Sequence, residues 1–323
     1  MRRRATQVLF VAITFLAVFG WTEQIRAEGK IARIGFLTPA SRGPTSELVE
    51  ALRALGYIEG QTIIFVTRAA ENQLDRLPKL AAELVSSEVD IIVAVSATAI
   101  RAAKQATHTI PIVMAFWGGE GLVETGIVSS FARPGGNVTG VYMLAAELDA
   151  KRFELLLETV PNARKVAVLK RADDMPFTQV REAARKAKVA LHVTDTPGTE
   201  GYERVFDAIA KGRDDAVLVL SFPRFHHEHQ RIIEAAAKRR IPVMYEWGES
   251  ARDGGLVAYG PLRAELTRSV ANYVDRIVKG ANPGDLPIEQ PTKFELVVNL
   301  KTAKVLGITI PESILLRADE VIK

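Results

Sequence analysis

Cysteine is absent from all 323 residues. Its absence excludes disulfides, thiol nucleophiles, thiolate metal ligands and attachment through a lipidated cysteine, while remaining compatible with an oxidising compartment. Net charge is also scarce. The chain carries +4, but residues 1–27 hold four Arg and one Glu, so the remainder is close to neutral at +1. A near-neutral body lacks the electrostatic footprint that a phosphate backbone demands, so no nucleic-acid partner is expected. No stretch after residue 27 approaches the roughly 20 apolar residues needed to span a bilayer, and the mature protein is expected to be soluble. A nucleophile elbow, a Walker loop, a dinucleotide fingerprint and a zincin motif are all missing, which disfavours an enzyme and implies no cofactor.

What is present begins with an address. Arg2, Arg3 and Arg4 precede an apolar stretch over 8–20, and a polar region follows that ends at Ala27. This order reads as a secretory signal peptide over 1–27, because the apolar stretch of about 13 residues is too short for a membrane anchor. From Ile31 onward, short Val- and Ile-rich runs alternate with amphipathic stretches, the mark of βαβ units around a parallel sheet. Strands are expected over 31–37, 62–66, 89–95 and 110–115, with helices over 46–55 and 75–85. A turn at Arg133-Pro-Gly-Gly-Asn137 separates a second series, with strands over 165–169, 190–193, 216–220 and 242–245 and helices over 150–159, 178–188, 202–211 and 228–239. A strand over 256–259, a long helix over 263–279, a linker over 281–291, a strand over 294–298, a helix over 300–306 and a terminal helix after Pro311 complete the chain. Two α/β lobes in one exported chain imply a clamshell, because open parallel sheets bind ligands at the carboxyl ends of their strands.

Several phrases carry a specific resemblance. They are Leu52-Arg-Ala-Leu-Gly-Tyr-Ile-Glu-Gly-Gln61, Asp75-Arg-Leu-Pro-Lys-Leu-Ala-Ala-Glu-Leu84, Ala103-Lys-Gln-Ala106 with Thr109-Ile-Pro-Ile-Val113, and Ala132-Arg-Pro-Gly-Gly-Asn-Val-Thr-Gly140. Further on come Tyr245-Glu-Trp247, Gly254-Gly-Leu256 with Tyr259-Gly-Pro261, and Gln290-Pro-Thr-Lys-Phe-Glu-Leu-Val-Val-Asn-Leu-Lys-Thr-Ala-Lys304. In order and content they resemble the ABC-importer substrate-binding proteins whose best-known members bind tryptophan and other aromatic amino acids. The resemblance implies a type I periplasmic-binding fold: two doubly wound parallel-sheet lobes joined by a three-crossover hinge, with no cofactor. The crossovers are expected near Gly140, Tyr245 and Gln290. That division gives an N-terminal lobe of 28–140 plus 246–290 and a C-terminal lobe of 141–245 plus 291–323. Where similar proteins often read Gly-Asp-Pro after the fourth strand, this chain has Gly121 at the Asp position, with Glu120 beside it.

Candidate ligand-binding residues follow from strand ends. Thr38 follows the first strand. Ser96, Ala97 and Thr98 open a helix where N–H groups and hydroxyls suit a carboxylate, or where they simply cap it. Phe116 and Trp117 follow the fourth strand, with Glu120 nearby. The second lobe offers Tyr142, Ser221, Phe222, Tyr245, Glu246 and Trp247, and Tyr259 is expected to return from the first. So many aromatics suit a flat or apolar ligand, although each also reads as core. His226, His227 and His229 lack the spacing of a metal site, so exposed positions in a helix's first turn are the simpler reading. Asn137-Val-Thr139 fits a glycosylation pattern that the turn explains without a glycan. The resulting expectation is a periplasmic or otherwise extracytoplasmic, monomeric solute-binding component that captures a small molecule and presents it to a membrane permease of an ABC importer. A sensory protein presenting its ligand to a receptor would use the same closure.

Overall fold

The computed structural model describes residues 31–40, 43–118, 121–170, 177–196 and 201–323. The proposed signal over 1–27 lies outside these residues. The chain forms two sheets. The first has strand order β2-β1-β3-β4-β5, all parallel, with β1 Ala32–Thr38, β2 Ile63–Ala69, β3 Ile91–Val95, β4 Ile112–Trp117 and β5 Val138–Tyr142. Its central strands are apolar on both faces because helices cover both. Helices α1 (Ser46–Ala54), α2 (Leu77–Ser86) and α3 (Ala97–Ala106) lie between the strands in sequence.

The second sheet has order β12-β11-β10-β9-β8-β6-β7. Its parallel part comprises β6 Lys165–Lys170, β7 Ala190–Asp195, β8 Ala216–Val219, β9 Val243–Tyr245 and β10 Val257–Pro261. Order 7-6-8-9-10 repeats 2-1-3-4-5 of the first sheet, so the two lobes share a topology without sharing a sequence. Strand β11 (Phe294–Asn299) adds antiparallel to β10, and β12 (Glu320–Ile322) adds parallel to β11.

Two expectations are corrected here. Residues 246–290 are expected in the N-terminal lobe, but β10 pairs with β9 through Val257–Met244 and Ala258–Tyr245, so residues 246–261 stay with the second sheet. The short helix α9 (Gly248–Arg252) and the turn behind it return the chain within the same sheet. Gly254 takes φ +115°, and a Cβ on Gly255 would lie 2.6 Å from the Tyr245 ring, so the Gly-Gly pair is what lets this turn close. The chain leaves the second sheet only after Pro261, where α10 (Arg263–Val278) crosses back and packs its Leu266, Val270 and Val274 face on the first sheet. The other correction is at the C-terminus: after Pro311 a single helical turn, Glu312–Leu315, leads into β12 rather than a longer helix.

The turn at 133–137 ends in a buried anchor. Asn137 donates to the Thr107 and Ile110 carbonyls at 3.1 and 2.8 Å and accepts from Lys104 Nζ at 2.7 Å, and Thr139 Oγ1 donates to the Leu286 carbonyl at 2.7 Å. These bonds fix the start and middle of β5 against neighbouring loops, directly before the chain first leaves the sheet.

Candidate functional site

The carboxyl ends of both sheets face one cavity of about 160 Å³. The first lobe contributes Thr38 from the end of β1, Ser96 to Thr98 after β3, Ala115 and Phe116 from β4, Met143 after β5, and Arg101 of α3. The second contributes Leu220, Ser221 and Phe222 after β8, Glu246 and Trp247 after β9, and Asp149 of α4 (Ala145–Thr159). Most of the wall is apolar, with Phe36, Leu48, Phe177 and Val270 completing it.

Ser96 adopts φ +81° and ψ 158°, a region in which non-glycine residues are strained. Its side chain makes no capping bond to α3; instead the Ser96 and Thr98 hydroxyl oxygens lie 3.0 Å apart. Capping therefore does not account for this serine. The first turn of α3 is aimed at the cavity with its positive dipole end, and Arg101 lies one turn further along the same wall. Burial lowers the Arg101 pKa, and its guanidinium sits 5.4 Å from the Trp117 ring centroid.

A bulge separates the two β4 aromatics. The β4–β5 register shifts between Met114 and Trp117, and Phe116 takes φ +67°. The kink turns Phe116 to the cavity face and sends the fully buried Trp117 to the opposite face of the sheet, among Met114 and Ile112. Tyr142 occupies that opposite face as well, edge to face with Phe131 at 5.1 Å. Tyr245 packs with Phe206 and Ile233 under the second sheet, and Tyr259 stacks on Phe294 at 6.0 Å. None of these four lines the cavity: strand alternation points each into a core, and β10 carries Tyr259 in the second sheet. Glu120 lies outside the described residues. The remaining candidates, Thr38, Ser96, Ala97, Thr98, Phe116, Ser221, Phe222, Glu246 and Trp247, are brought together.

The most polar part of the site went unread in the sequence. Asp149 and Arg152 stand at i and i+3 on α4, on the face that also buries Phe153 and Leu156. Arg152 Nη2 donates to Asp149 Oδ1 at 2.6 Å and to Ser221 Oγ, and Nη1 donates to the Tyr259 carbonyl at 3.1 Å. Glu246, 8% exposed, lies beside this network. Burial pushes its carboxyl up to about 7, with nearby Arg152 opposing and Asp149 reinforcing the shift. Burial raises Asp149 too, against the pull of Arg152.

His226 and His227 also line the cavity. His226 is largely buried against Trp247, with ring centroids 6.0 Å apart, rather than exposed as the sequence implied; burial, aided by Arg263, holds its pKa down to about 3, so the ring is neutral. His229 is held by the His226 carbonyl at 2.6 Å and Asp253 at 2.7 Å. At the rim, Arg263 of the first lobe pairs with Glu47 of α1 and, at 3.2 Å, with Glu249 of α9 in the second lobe. Among the described residues no helix is long and apolar enough to cross a membrane.

This geometry has relatives. The tyrosine-binding protein of Clostridioides difficile (strain R20291) is 27% identical over 261 residues, which span 80% of this chain and 74% of that protein. A crystal structure from Streptococcus pneumonia, described as an ABC domain in complex with L-Trp, superposes with a TM-score of 0.77 at 25% identity, covering 91% of this chain and all of that one. A conserved domain protein from Vibrio cholerae gives a TM-score of 0.79 at 25% identity, covering 90% of this chain and all of that one. Residues 36–322 match the family described as ABC transporter substrate binding protein, and the chain belongs to that family.

Proposed function

We propose that this protein is the extracytoplasmic solute-binding component of an ABC importer, holding an aromatic, amino-acid-like or carboxylate ligand between its lobes and presenting it to a membrane permease. One observation carries the reading: the carboxyl ends of both sheets meet at a single cavity whose wall is aromatic and aliphatic, with the strained Ser96 turn and Arg101 on one side. A ligand carboxylate fits the first turn of α3, where helix N–H groups, the Ser96 and Thr98 hydroxyls and the Arg101 charge converge. An aromatic body fits between Phe116, Phe222 and Trp247. The tyrosine- and tryptophan-binding relatives support this ligand class. Binding needs no chemistry: a ligand that touches both lobes favours the form in which they meet around it. The protein acts as a monomer, released to the periplasm by its N-terminal signal.

Thermal shift with L-tyrosine, L-tryptophan, aromatic acids and small carboxylates tests the proposal. A true ligand at 100 times its Kd adds about 2.7 kcal/mol of stability. A chain that melts at one temperature with every member of the panel, and whose scattering profile never changes, is not a receptor for this class.

A further inference from the structure

His226 stands in the short helix α7 (Pro223–His227), one turn after Phe222, and lines the same cavity. Packing holds its ring. The imidazole meets Trp247 at a centroid distance of 6.0 Å and an interplanar angle of 66°, and it stacks on His229 at 5.9 Å and 11°. His229 is fixed in turn by the His226 carbonyl and Asp253. Among the described residues, several buried side-chain polar atoms meet no hydrogen-bond partner, and His226 Nδ1 is the one that belongs to the wall of the cavity. The charged groups around this ring do not supply the bond, because Arg263 is paired with Glu47 and Glu249. A neutral imidazole offers one donor and one acceptor nitrogen, and burial with Arg263 nearby keeps this ring neutral. An unpaired buried polar atom is costly, so a ring nitrogen kept at a largely apolar wall calls for a partner that arrives with the ligand.

The position of His226 says which part of the ligand that partner belongs to. The first turn of α3 and Arg101, which suit an anionic group, are on the first lobe, whereas His226 is on the second, beside the Phe222 and Trp247 rings that wall the aromatic body. A group that reaches His226 therefore sits on the rim of that body. We propose that His226 is a specificity-determining residue that hydrogen-bonds a hydroxyl or N–H on the rim of the ligand's aromatic ring, so that the protein selects a phenol or an indole over a ring without such a donor. The proposal rests on the reading that the cavity holds an aromatic ligand.

Calorimetric titration of the purified protein with matched pairs tests it: L-tyrosine against L-phenylalanine, and L-tryptophan against benzothienyl-L-alanine, in which sulfur replaces the indole N–H. The wild-type protein is expected to prefer the donor-bearing member of at least one pair by about tenfold or more, because the other member leaves the buried nitrogen unpaired. In His226→Phe, which keeps a ring against Trp247 and removes both nitrogens, that preference falls below about twofold. His226→Leu is expected to behave alike and carries the test if the Phe variant does not fold. A residue that only packs would weaken both members of a pair equally and leave the ratio unchanged. If wild type discriminates within neither pair, or if a folded variant keeps the preference, the hydrogen bond is wrong while the ligand cavity stands. If no member of either pair binds, both readings fall together.

Discussion

Phe116 and Trp247 meet edge to face, with ring centroids 6.2 Å apart and planes at 74°. One comes from the first sheet and the other from the loop after β9 in the second, so this aromatic contact joins the lobes at the cavity. Truncating Phe116 to Ala removes half of that contact and part of the ligand wall. We expect affinity for an aromatic ligand to fall by about tenfold or more, in line with an aromatic pair and its buried area. Calorimetry on folded Phe116→Ala protein measures it.

Tyr142 provides the contrast. It is buried on the far face of the first sheet against Phe131, away from the cavity. Tyr142→Ala is expected to lower the unfolding free energy by about 3 kcal/mol through cavity formation while leaving Kd within a few-fold. Denaturant unfolding read beside ligand titration separates the two effects, and a loss of affinity without a loss of stability would return Tyr142 to the site.

The raised Glu246 carboxyl has a stability consequence of definite sign. Its folded pKa, about 7, lies above the ordinary carboxyl value of 4.5. The folded state therefore binds more protons than the unfolded state between these values, and its stability falls as pH rises through that window. Glu246→Gln escapes this penalty. Without ligand, the variant is expected to exceed wild type by up to about 3 kcal/mol at pH 8, with the difference shrinking toward pH 4.5. Urea unfolding at several pH values checks it.

Arg263 ties the lobes at the cavity rim through Glu47 and Glu249. Because partly exposed ion pairs contribute about 1 kcal/mol or less, Arg263→Ala is expected to weaken ligand affinity by only two- to tenfold. The same variant should scatter with a larger radius of gyration in the absence of ligand, as lobe contacts loosen. An unchanged profile would show that this bridge does not hold the lobes together.

Gly260 lies where β10 passes the Glu246 backbone. A Cβ there would sit 2.1 Å from the Glu246 carbonyl oxygen and 3.8 Å from Arg152 Nη1. Gly260→Ala must push the β9 exit outward, costing at least about 1–3 kcal/mol and displacing Glu246 from its network. Thermal melting, with ligand affinity as a second readout, detects both.

Most of the fold was legible because apolar runs and helical spacing are local signals. Strands β1, β3, β6 and β8 and helix α10 fall within a few residues of where composition put them. What is not local was missed. Nothing in Val257 to Tyr259 records which sheet the strand will join, so the sequence alone puts the second crossover near Tyr245, whereas the chain crosses after Pro261. Strand ends identified Thr38, Ser96, Ser221 and Glu246 as cavity residues, but they could not separate Phe116 from Trp117, because the bulge that parts them is a backbone event. Asp149 and Arg152 are hard to read for another reason: on a helix, i and i+3 charges usually mark a solvated face. The signal available was their setting among Leu148, Phe153 and Leu156, which makes that face an apolar one.

The buried amide of Asn137 has a practical consequence. Its oxygen and both its hydrogens are already engaged, and Thr139, the residue a glycosylating enzyme would also read, is fully buried. A sugar can be attached there only while the chain is still unfolded, and β5 could not then settle into its place. Yeast or mammalian secretion of this protein should therefore yield bare, active molecules, and any heavier band on a gel should consist of copies that never matured.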